Sequence, residues 1–541
     1  MFKKRFTTPA RLITLACPII FGATASAAPA ASSAAPALDS TTSGSATTGS
    51  ATARPNVVFI YADDVGYGDL SCYGATSIST PHLDELARRG LRFTNARSAA
   101  ATCTPSRYSI MTGQYAWRKK GTGVLPGDAN LIVPTDIVTL PRVFQKAGYV
   151  TGCVGKWHLG LGSGDTLDWN RRVAPGPNEI GFDYSFIFPA TADRVPTVYM
   201  RNGEVVGLDP ADPILVSYKE KIGTEPTGKE NPELLYNMRA AENHGHDGTI
   251  VNGIGRIGWM TGGQRARWTD ESLAMDFTQE AEDFMERHAA QPFFLYFATN
   301  DIHVPRMPGA RFKGVSGLGY RGDALLQLDD TVGRLMTRLR HLGIEDNTIV
   351  IFSSDNGPVL NDGYVDGAVE QLGAHTPTGP FRGGKYSALE GGTRLPFIVQ
   401  WPASIQPGVS PALVSQVDLI ASFAAFTGQA LPDDYYRDSQ NMMPALLGKD
   451  RTGRESVVVR GRTYAYIKGD WKYILPSDGP AVLERTGVES GLLDAPQLYN
   501  LEADPRETNN LATQHPDRVK EMRAELQSIR DAHRDGIQDW E

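Results

Sequence analysis

The chain is short of basic charge, of cysteine and of long apolar runs. Its 53 Lys and Arg residues are outnumbered by 61 Asp and Glu residues, which gives a net charge of −8. This balance argues against nucleic acid as a partner, because such partners require an excess of positive charge. An anionic ligand would have to be bound by a local basic pocket. After residue 27 no segment is apolar enough to cross a bilayer, so we expect no transmembrane segment there.

The first 27 residues have the organisation of a secretory signal peptide. Four basic residues precede an apolar run over residues 12–25, which ends in the small-residue pattern Ala25-Ser26-Ala27. A membrane anchor is the alternative, but the run is short and Pro18 interrupts it. Lipid attachment at Cys17 is disfavoured because Thr14 stands where a lipobox requires leucine. We therefore expect cleavage after residue 27 and an exported protein, either periplasmic or secreted.

Export would leave few thiols and a more acidic chain. Residues 28–53 are almost entirely Ala, Ser, Thr, Gly and Pro, which predicts a flexible linker. Without the signal peptide, 49 basic residues face 61 acidic residues, a net charge of −12. The three remaining cysteines cannot all pair in an oxidising compartment, so at least one is free or chemically altered. Cys72 and Cys153 either form a disulfide or are small buried residues.

Apolar runs and helical segments alternate along most of the chain. Residues 56–62 are apolar without alternation, which is typical of a parallel strand buried on both faces. The other predicted buried strands are residues 150–154, 293–298 and 348–353, and the predicted helices are residues 80–89, 269–288 and 322–342. The pattern predicts an α/β fold with a large, mostly parallel sheet sandwiched by helices.

The pattern changes after residue 407. A helix over residues 417–426 is the last element assigned to the main layers. Short strands and a terminal helix follow, at residues 456–459, 464–468, 471–475 and 517–533. They predict a smaller C-terminal α+β subdomain with an antiparallel sheet and a helix. We therefore expect a main domain over residues 54–430 and a subdomain over residues 431–541.

Carboxylates cluster where two predicted buried strands end. Asp63 and Asp64 follow the first strand, and Asp355 and Asn356 follow the strand at residues 348–353. Sites in open α/β sheets lie at the carboxyl ends of the strands. Adjacent buried carboxylates stay ionised only beside a cation, and an all-oxygen set favours Ca²⁺ over Mg²⁺. The alternative is that both pairs are ordinary turn formers.

Basic side chains form a second set, also after predicted strands. Lys156 and His158 alternate in the segment GKWHLG, which would place them on one side with Trp157 facing the core. His303 follows the strand at residues 293–298, and Lys385 lies in a glycine-rich loop where backbone can approach a ligand closely. Each residue alone is commonly a solvated surface group. Together they indicate an oxyanion pocket.

Cys103 lies just ahead of a predicted helix start. Pro105 suits the first turn of a helix, so Cys103 would lie at the N-terminal end, where the helix dipole favours negative charge. Arg107 would share its face and can bind an oxygen group through two N–H donors. The pattern Cys-x-Pro-x-Arg therefore indicates either a thiolate nucleophile of low pKa or a modified cysteine.

At this point the residues carry a family resemblance. The segment CTPSRYSIMTG at residues 103–113 resembles the signature of type I, formylglycine-dependent sulfatases, members of the alkaline phosphatase-like superfamily. The similarity continues in the family's order over most of residues 55–511, in the segments NVVFIYADDVGYGDLSCYG, GYVTGCVGKWHLG, FFLYFATNDIHVP, VIFSSDNGP, RGGKYSALEGGTRLPFIVQWP and QLYNLEADPRETNNLA. The resemblance implies a sulfuric ester hydrolase whose catalytic domain is the main domain.

The resemblance also implies roles for individual residues. Cys103 would be converted to formylglycine by a formylglycine-generating enzyme during maturation. One Ca²⁺ would be held by residue 103 together with Asp63, Asp64, Asp355 and Asn356. The sulfate would be surrounded by Arg107, Lys156, His158, His303 and Lys385. The family often has a pocket serine after the third of these strands, and Thr191 is the candidate here.

The mechanism implied by the resemblance explains why an aldehyde is useful. Its hydrate has two hydroxyls on one carbon, so one can attack the ester sulfur and the other can expel the sulfate. Asp355 would be the base for the first proton and His158 for the second. His303 would protonate the leaving group, and Lys385 would neutralise the bridging oxygen. Arg107 and Lys156 would hold the oxygens in place.

Two rival functions and the substrate stay open at this level. A phosphoester or phosphonate hydrolase of the same superfamily would use similar residues, and a binding protein would keep Cys103 unmodified. The insert over residues 203–263 offers His244, His246 and Trp259 to a sugar, although such loops are often only structural. Export and a large insert favour a sulfated carbohydrate, with aryl sulfates as test substrates.

Overall fold

The computed structural model describes residues 54–242, 244–432 and 438–532. The predicted signal peptide, the linker at residues 28–53 and Cys17 lie outside them. The strands are β1 Asn56–Ala62, β2 Leu91–Phe93, β3 Ala96–Arg97, β4 Val150–Lys156, β5 Tyr184–Phe188, β6 Met200–Arg201, β7 Glu204–Val205, β8 Leu215–Ser217, β9 Ile250–Val251, β10 Ile254–Gly255, β11 Trp259–Thr261, β12 Phe293–Ala298, β13 Thr348–Ser354, β14 Phe397–Gln400, β15 Gly408–Ser410, β16 Val414–Ser415, β17 Ser456–Arg460, β18 Tyr464–Lys468, β19 Trp471–Ile474 and β20 Gln497–Asn500.

The α-helices include every helical segment predicted from the sequence. They are α1 Pro81–Arg89, α2 Cys103–Thr112, α3 Leu140–Lys146, α4 Leu273–Arg287, α5 Gly319–His341, α6 Glu390–Thr393, α7 Leu419–Thr427, α8 Met443–Leu446 and α9 Pro516–Asp531. Two of them begin later than expected, because a 3₁₀ turn precedes α4 and another precedes α7. In the part of the chain that the structure describes, no helix combines the length and apolarity needed to span a membrane.

The main sheet has ten strands in the order β15-β2-β14-β13-β1-β12-β4-β5-β6-β7. Its centre, from β13 through β1, β12 and β4 to β5, is entirely parallel, whereas β14 is antiparallel to β13 and β6 is antiparallel to β5. The predicted large, mostly parallel sheet is therefore confirmed. The additional short strands extend both edges of the sheet.

Alternate residues of β1 contribute to two separate hydrophobic cores. Val57, Phe59 and Tyr61 belong to one core, which also contains apolar residues of α2, α3 and α7. Val58 and Ile60 belong to the other, with apolar residues of α1, α4 and α5. A strand covered on both faces has no polar positions, which explains the continuous apolar run in the sequence. The carboxyl ends of the central strands are left for polar residues.

The C-terminal part forms the predicted small antiparallel sheet, in the order β17-β18-β19-β20. Met522 and Leu526 of α9 pack in a core with Val458 and Tyr466 of that sheet. Trp117, from the loop after α2, packs in the same core. The division near residue 430 into two domains stays a prediction. The residues that the structure describes belong to one compact unit.

A buried ionic cluster joins the small sheet to α6. Lys472 of β19 lies 3.0 Å from Glu390 and 2.8 Å from Glu507, and Arg97 lies 2.7 Å from Glu390. All four side chains are fully buried. Burial raises the pKa of Glu507, whereas Arg97 and Lys472 overcome the effect of burial on the pKa of Glu390 and lower it. The cluster is therefore stable only with both cations in place.

We expect Lys472→Met to lower the free energy of unfolding by about 3–5 kcal/mol, because two buried carboxylates would lose a shared cation. Denaturation in urea, followed by tryptophan fluorescence, measures this change. Lys468→Met is the matched control in the same sheet, since Lys468 forms a half-buried pair with Glu525 that solvent can reach. An equal loss in the two variants would contradict the role of the buried cluster.

Candidate active site

Four predicted ligands meet where β1 and β13 end side by side. The two strands are parallel and in register, with Ala62 opposite Ser354, so the residues that follow each strand become neighbours. The backbone N–H of Asp64 donates to Oδ1 of Asp355 at 3.3 Å, and Asp64 adopts a left-handed conformation with φ of 60°. Asp63, Asp64, Asp355 and Asn356 are all buried.

Cys103 completes this cluster from the first position of α2. Its Sγ lies 3.6 Å from Oδ1 of Asp63. One ligand atom from each of Asp63, Asp64, Cys103 and Asp355 lies within 4.8 Å of the other three. Oxygen ligands of one Ca²⁺ ion, each at about 2.3–2.6 Å from it, lie within about 5 Å of one another. The spacing therefore fits a calcium ion once residue 103 offers an oxygen.

Asn356 adds an independent sign that an ion belongs in this cluster. Its Nδ2 donates to Oδ1 of Asp64 at 2.7 Å and to the carbonyl oxygen of Gly357 at 2.9 Å. Its Oδ1 is buried and has no hydrogen-bond partner. Because a buried polar atom without a partner destabilises the folded state, this oxygen requires a cation or a hydrogen-bond donor. The donor set consists of hard oxygens and fits Ca²⁺.

The acidic cluster is surrounded and neutralised by three basic side chains, those of Lys156, Arg107 and Lys385. Nζ of Lys156 lies 2.5 Å from Oδ2 of Asp63, and the guanidinium of Arg107 donates twice to Oδ2 of Asp355, at 2.8 and 3.1 Å. Burial alone would raise the pKa of Asp63, but Lys156 and neighbouring cations lower it. Burial and the neighbouring Asp63 raise the pKa of Asp355.

Lys385 approaches from the glycine-rich loop, as predicted. Its Nζ lies 2.9 Å from Oδ2 of Asp64 and 2.8 Å from Oδ2 of Asp362. Burial opposes the charged ammonium, yet Asp362 and Asp64 raise the pKa of Lys385 well above its usual value. Lys385 in turn overcomes the effect of burial on Asp362, whose pKa is lowered to about 2. Both groups are therefore charged at neutral pH.

The order of residues 155–158 explains how Lys156 reaches the cluster. Gly155 has a φ of 106°, and a Cβ there would lie 1.9 Å from the carbonyl oxygen of Ala298, so only glycine allows β4 and β12 to meet this closely. Trp157 is fully buried in the main core, as predicted. Lys156 and His158 are both buried on the side of the site.

His158 and His303 are both buried at the site. Burial, with the nearby Lys156, lowers the pKa of His158 well below its usual value, and burial also lowers the pKa of His303. Nε2 of His158 lies 3.1 Å from the carbonyl oxygen of Leu125, and its Nδ1 has no partner. Nδ1 of His303 lies 2.8 Å from the carbonyl oxygen of Val304. Each ring thus keeps one nitrogen available to accept a proton.

A cavity of about 320 Å³ opens directly above Cys103. It is lined by three of the predicted basic residues, His158, His303 and Lys385, and by several residues that sequence reasoning missed: Asp193, Arg194, Asp362, Tyr386, Arg462 and residues 483–486. Thr191 is not among the lining residues. Its Oγ1 accepts a hydrogen bond from Arg194 at 2.5 Å, so it contacts a cavity residue instead.

The insert contributes two of its three candidates. His244 and His246 line the cavity, whereas Trp259 lies in β11, paired with Ser217 of β8, and does not. Nε2 of His246 lies 3.0 Å from Oδ2 of Asp193. Arg194 and His246 overcome the effect of burial on the pKa of Asp193 and hold it well below its usual value. No local motif marks Asp193, because it follows β5 in an irregular loop.

The three described cysteines settle one alternative left open by the sequence and bear on a second. Cys72, Cys103 and Cys153 are all free, so Cys72 and Cys153 do not form a disulfide. Burial raises the pKa of the Cys103 thiol well above its usual value. A thiol that stays protonated is a poor nucleophile, which disfavours the thiolate interpretation and favours a modified residue.

Comparisons with known proteins agree with this site. The family model described as Sulfatase matches residues 55–429. An N-acetylgalactosamine-6-O-sulfatase of Bacteroides thetaiotaomicron is 54% identical over 484 residues, covering 89% of this chain and 94% of the relative. Human arylsulfatase A is 34% identical over 480 residues, covering 86% and 84%. A solved structure from work on glycosaminoglycan metabolism by B. thetaiotaomicron superposes with a TM-score of 0.86 at 54% identity, covering 88% of this chain and 99% of that one.

A family model that spans most of the chain, together with relatives of this identity and coverage, establishes the kinship. The chain belongs to the sulfatase family and is a sulfuric ester hydrolase.

Proposed function

We propose that this enzyme removes the 6-O-sulfate of N-acetylgalactosamine in glycosaminoglycan fragments, using a formylglycine made from Cys103 and one Ca²⁺. The 54% identity to the N-acetylgalactosamine-6-O-sulfatase over most of both chains supports this substrate. The chemistry rests on one observation, the convergence of Asp63, Asp64, Cys103 and Asp355 within 4.8 Å. The relatives named above are sulfatases, which favours this assignment over a phosphoester or phosphonate hydrolase.

Asp63, Asp64, Asp355, Asn356 and residue 103 would hold the ion. The chemistry that calcium and formylglycine supply is an activated oxygen nucleophile beside the ester sulfur. The raised pKa of Asp355 suits it to accept the nucleophile's proton at a carboxylate oxygen. Arg107 and Lys156, whose charges are buried beside Cys103, orient the sulfate oxygens. Thr191 would act indirectly, by positioning Arg194 on the cavity wall.

His303 is the residue we assign to the leaving group. Its Nδ1–H donates to the carbonyl oxygen of Val304, so Nε2 is the atom that takes up and returns a proton. A bound sulfate monoanion raises the pKa of the imidazole again, because opposite charge favours the imidazolium form. Lys385 neutralises the bridging oxygen, and His158, with its unpartnered Nδ1, accepts the proton that accompanies sulfate release.

His246 and Asp193 together offer a donor and an acceptor on the cavity wall. Both are buried, so a sugar hydroxyl between them would be desolvated and oriented. We expect His246→Ala to lower kcat/KM for N-acetylgalactosamine 6-sulfate by about 10–100-fold, with little change for 4-nitrophenyl sulfate. His288→Ala, on the far end of α4, is the control. Equal losses on both substrates would contradict a contact with the sugar.

Release of sulfate from defined sugars tests the proposed substrate. We compare N-acetylgalactosamine 6-sulfate with two relatives of it. Its 4-sulfate isomer differs only in the position of the sulfate, and N-acetylglucosamine 6-sulfate differs only in the sugar. The three kcat/KM values therefore separate recognition of the sulfate position from recognition of the sugar. The proposal requires the first to be the best substrate. Equal turnover of all three would overturn it. 4-Nitrophenyl phosphate, run in parallel, measures any phosphatase activity.

Cellular placement is part of the same proposal. The N-terminal 27 residues would direct export, after or during which a formylglycine-generating enzyme acts on the CTPSR segment. Because Cys103 is buried once the chain has folded, we propose that modification precedes folding. The catalytic domain would cover residues 54–430 and the C-terminal subdomain residues 431–541.

A further inference from the structure

The cavity above Cys103 has an outer part that comes from the C-terminal quarter of the chain. Arg462, from the turn between β17 and β18, and the segment 483–486 line it on one side. None of these residues belongs to the motifs that carry the catalytic chemistry.

Charges in the inner and outer parts are balanced differently. The inner part is the end of the cavity at Cys103, together with the charged cluster beneath it. There Lys156 pairs with Asp63, Arg107 with Asp355, Arg194 with Asp193, and Lys385 with Asp64 and Asp362. Arg462 and Arg485 are both exposed, and among the described residues no carboxylate lies within ion-pair distance of either guanidinium. Glu484 is the one carboxylate among the outer lining residues. Two arginines thus outnumber one acid at the mouth.

Both arginines are held in place by the structure around them. The segment with Arg485 is a hairpin closed by pairing of Val482 with Glu489 and of Ser477 with Leu493. Asn361, next to Asp362 of the inner part, donates from Nδ2 to the carbonyl oxygen of Arg485 at 3.0 Å. A salt bridge of 2.8 Å from Arg382 to Glu489 fixes the hairpin further.

Arg462 is positioned by Tyr386, which follows the catalytic Lys385. The backbone N–H of Arg462 donates to the carbonyl oxygen of Tyr386 at 2.9 Å, and its guanidinium lies 5.6 Å from the centre of the tyrosine ring. Tyr386 has a φ of 75°, an unusual conformation for a residue with a side chain. The loop that positions Lys385 therefore also positions Arg462 relative to Lys385.

We propose that Arg462 and Arg485 form a second anion subsite, which binds a negative group on the substrate other than the scissile sulfate. This rests on the proposed function and deepens it, because it selects sugars joined to an anionic neighbour. A guanidinium binds carboxylate and sulfate oxygens alike, so the group is either the carboxylate of an adjacent uronic acid or a second sulfate. In an enzyme with net negative charge, such a local basic patch also attracts a polyanionic substrate.

The test compares the parent enzyme with Arg462→Ala/Arg485→Ala. An unsulfated chondroitin tetrasaccharide is the inhibitor, and 4-nitrophenyl sulfate turnover is the readout. We expect the inhibition constant to rise about tenfold in the double variant, and this difference to shrink in high salt. Turnover of 4-nitrophenyl sulfate itself should stay within twofold. Arg523→Ala, an exposed arginine of α9, controls for the change in net charge, and Arg462→Lys/Arg485→Lys should recover part of the binding.

Two further arms identify the anion. A carboxyl-reduced tetrasaccharide that no longer inhibits identifies the uronic acid carboxylate. A preference of the parent for 4,6-disulfated over 6-sulfated N-acetylgalactosamine, lost in the double variant, identifies a second sulfate. The subsite is refuted if the parent and the double variant behave alike in both arms. It is also refuted if the double variant loses aryl sulfate turnover to the same extent as it loses binding of the tetrasaccharide. The inhibition does not depend on which sulfated sugar is cleaved, so it separates failure of the subsite from failure of the proposed substrate.

Discussion

Cys103→Ala lowers kcat for 4-nitrophenyl sulfate by about 10⁴-fold or more in our expectation, because it removes the side chain from which the nucleophile is made. Cys103 is the first residue of α2 and lies 3.6 Å from Asp63, in the middle of the charged cluster. Arg107, Lys156 and the surrounding carboxylates would stay in place, so the variant should still bind sulfate esters.

Cys153→Ala is the matched control for this experiment. Cys153 is also a buried cysteine, but it lies in the middle of β4 and packs in the apolar core. It should keep nearly all activity, with a modest loss of stability from the small cavity. Circular dichroism of both variants shows whether the fold is kept. Activity of Cys103→Ala within tenfold of the parent would exclude Cys103 as the origin of the nucleophile.

Mass spectrometry of the peptide that contains Cys103 examines the same residue without mutation. Conversion of the thiol to the aldehyde lowers the peptide mass by about 18 Da, in contrast to the oxygen gains of the ordinary cysteine oxidation ladder. The fraction of converted peptide should match the fraction of active enzyme. An unchanged cysteine in a fully active preparation would be incompatible with the mechanism.

Removal of the metal is the second change with a very large expected effect. Asp63, Asp64 and Asp355 lie within a few ångströms of one another, and Oδ1 of Asn356 is buried without a partner. Strong chelation should lower turnover at least about 100-fold, since the nucleophile loses its Lewis acid. It should also lower the melting temperature, because buried carboxylates lose a shared cation.

Re-addition of different metal ions to the chelated enzyme tests whether the ligand atoms are all oxygens. Ca²⁺ should restore turnover better than Zn²⁺, because carboxylate and amide oxygens at this spacing suit a large hard cation. Asp64→Asn should weaken Ca²⁺ binding, measured by calorimetry, whereas Asp84→Asn on α1 should not. Recovery of turnover with Zn²⁺ alone would argue against an all-oxygen site.

Local sequence accounts for much of the fold and for the inner site. The runs at residues 56–62, 293–298 and 348–353 became β1, β12 and β13 with almost unchanged bounds, because a strand buried on both faces must be apolar throughout. The residues placed at their ends became neighbours, since parallel strands in register end together. Cys103 at the start of α2 follows from Pro105 and the helix geometry in the same way.

Several residues that line the cavity could not be predicted from the local sequence. Asp193, His246 and Arg485 lie in irregular loops, where no periodic pattern ties a residue type to a position. Lys385 was predicted as a site residue, but its two partners were not predicted. Nothing in the sequence signalled its contact with Asp362, or its contact with Asp64, which is 321 residues away along the chain. The later start of α7 was not predicted either, because it depends on the 3₁₀ turn before the helix, which Asp418 stabilises.

By itself, the amino-acid sequence determined the α/β architecture, the identity of the inner polar residues and their chemical kind, because burial and strand ends leave a direct imprint on residue order. Only the tertiary structure decided which carboxylate each cation meets, that burial raises the pKa of the Cys103 thiol, and that the C-terminal part supplies two arginines to the cavity mouth. Those properties depend on contacts between segments far apart in the chain, and contact distance and desolvation do not exist until the chain has folded.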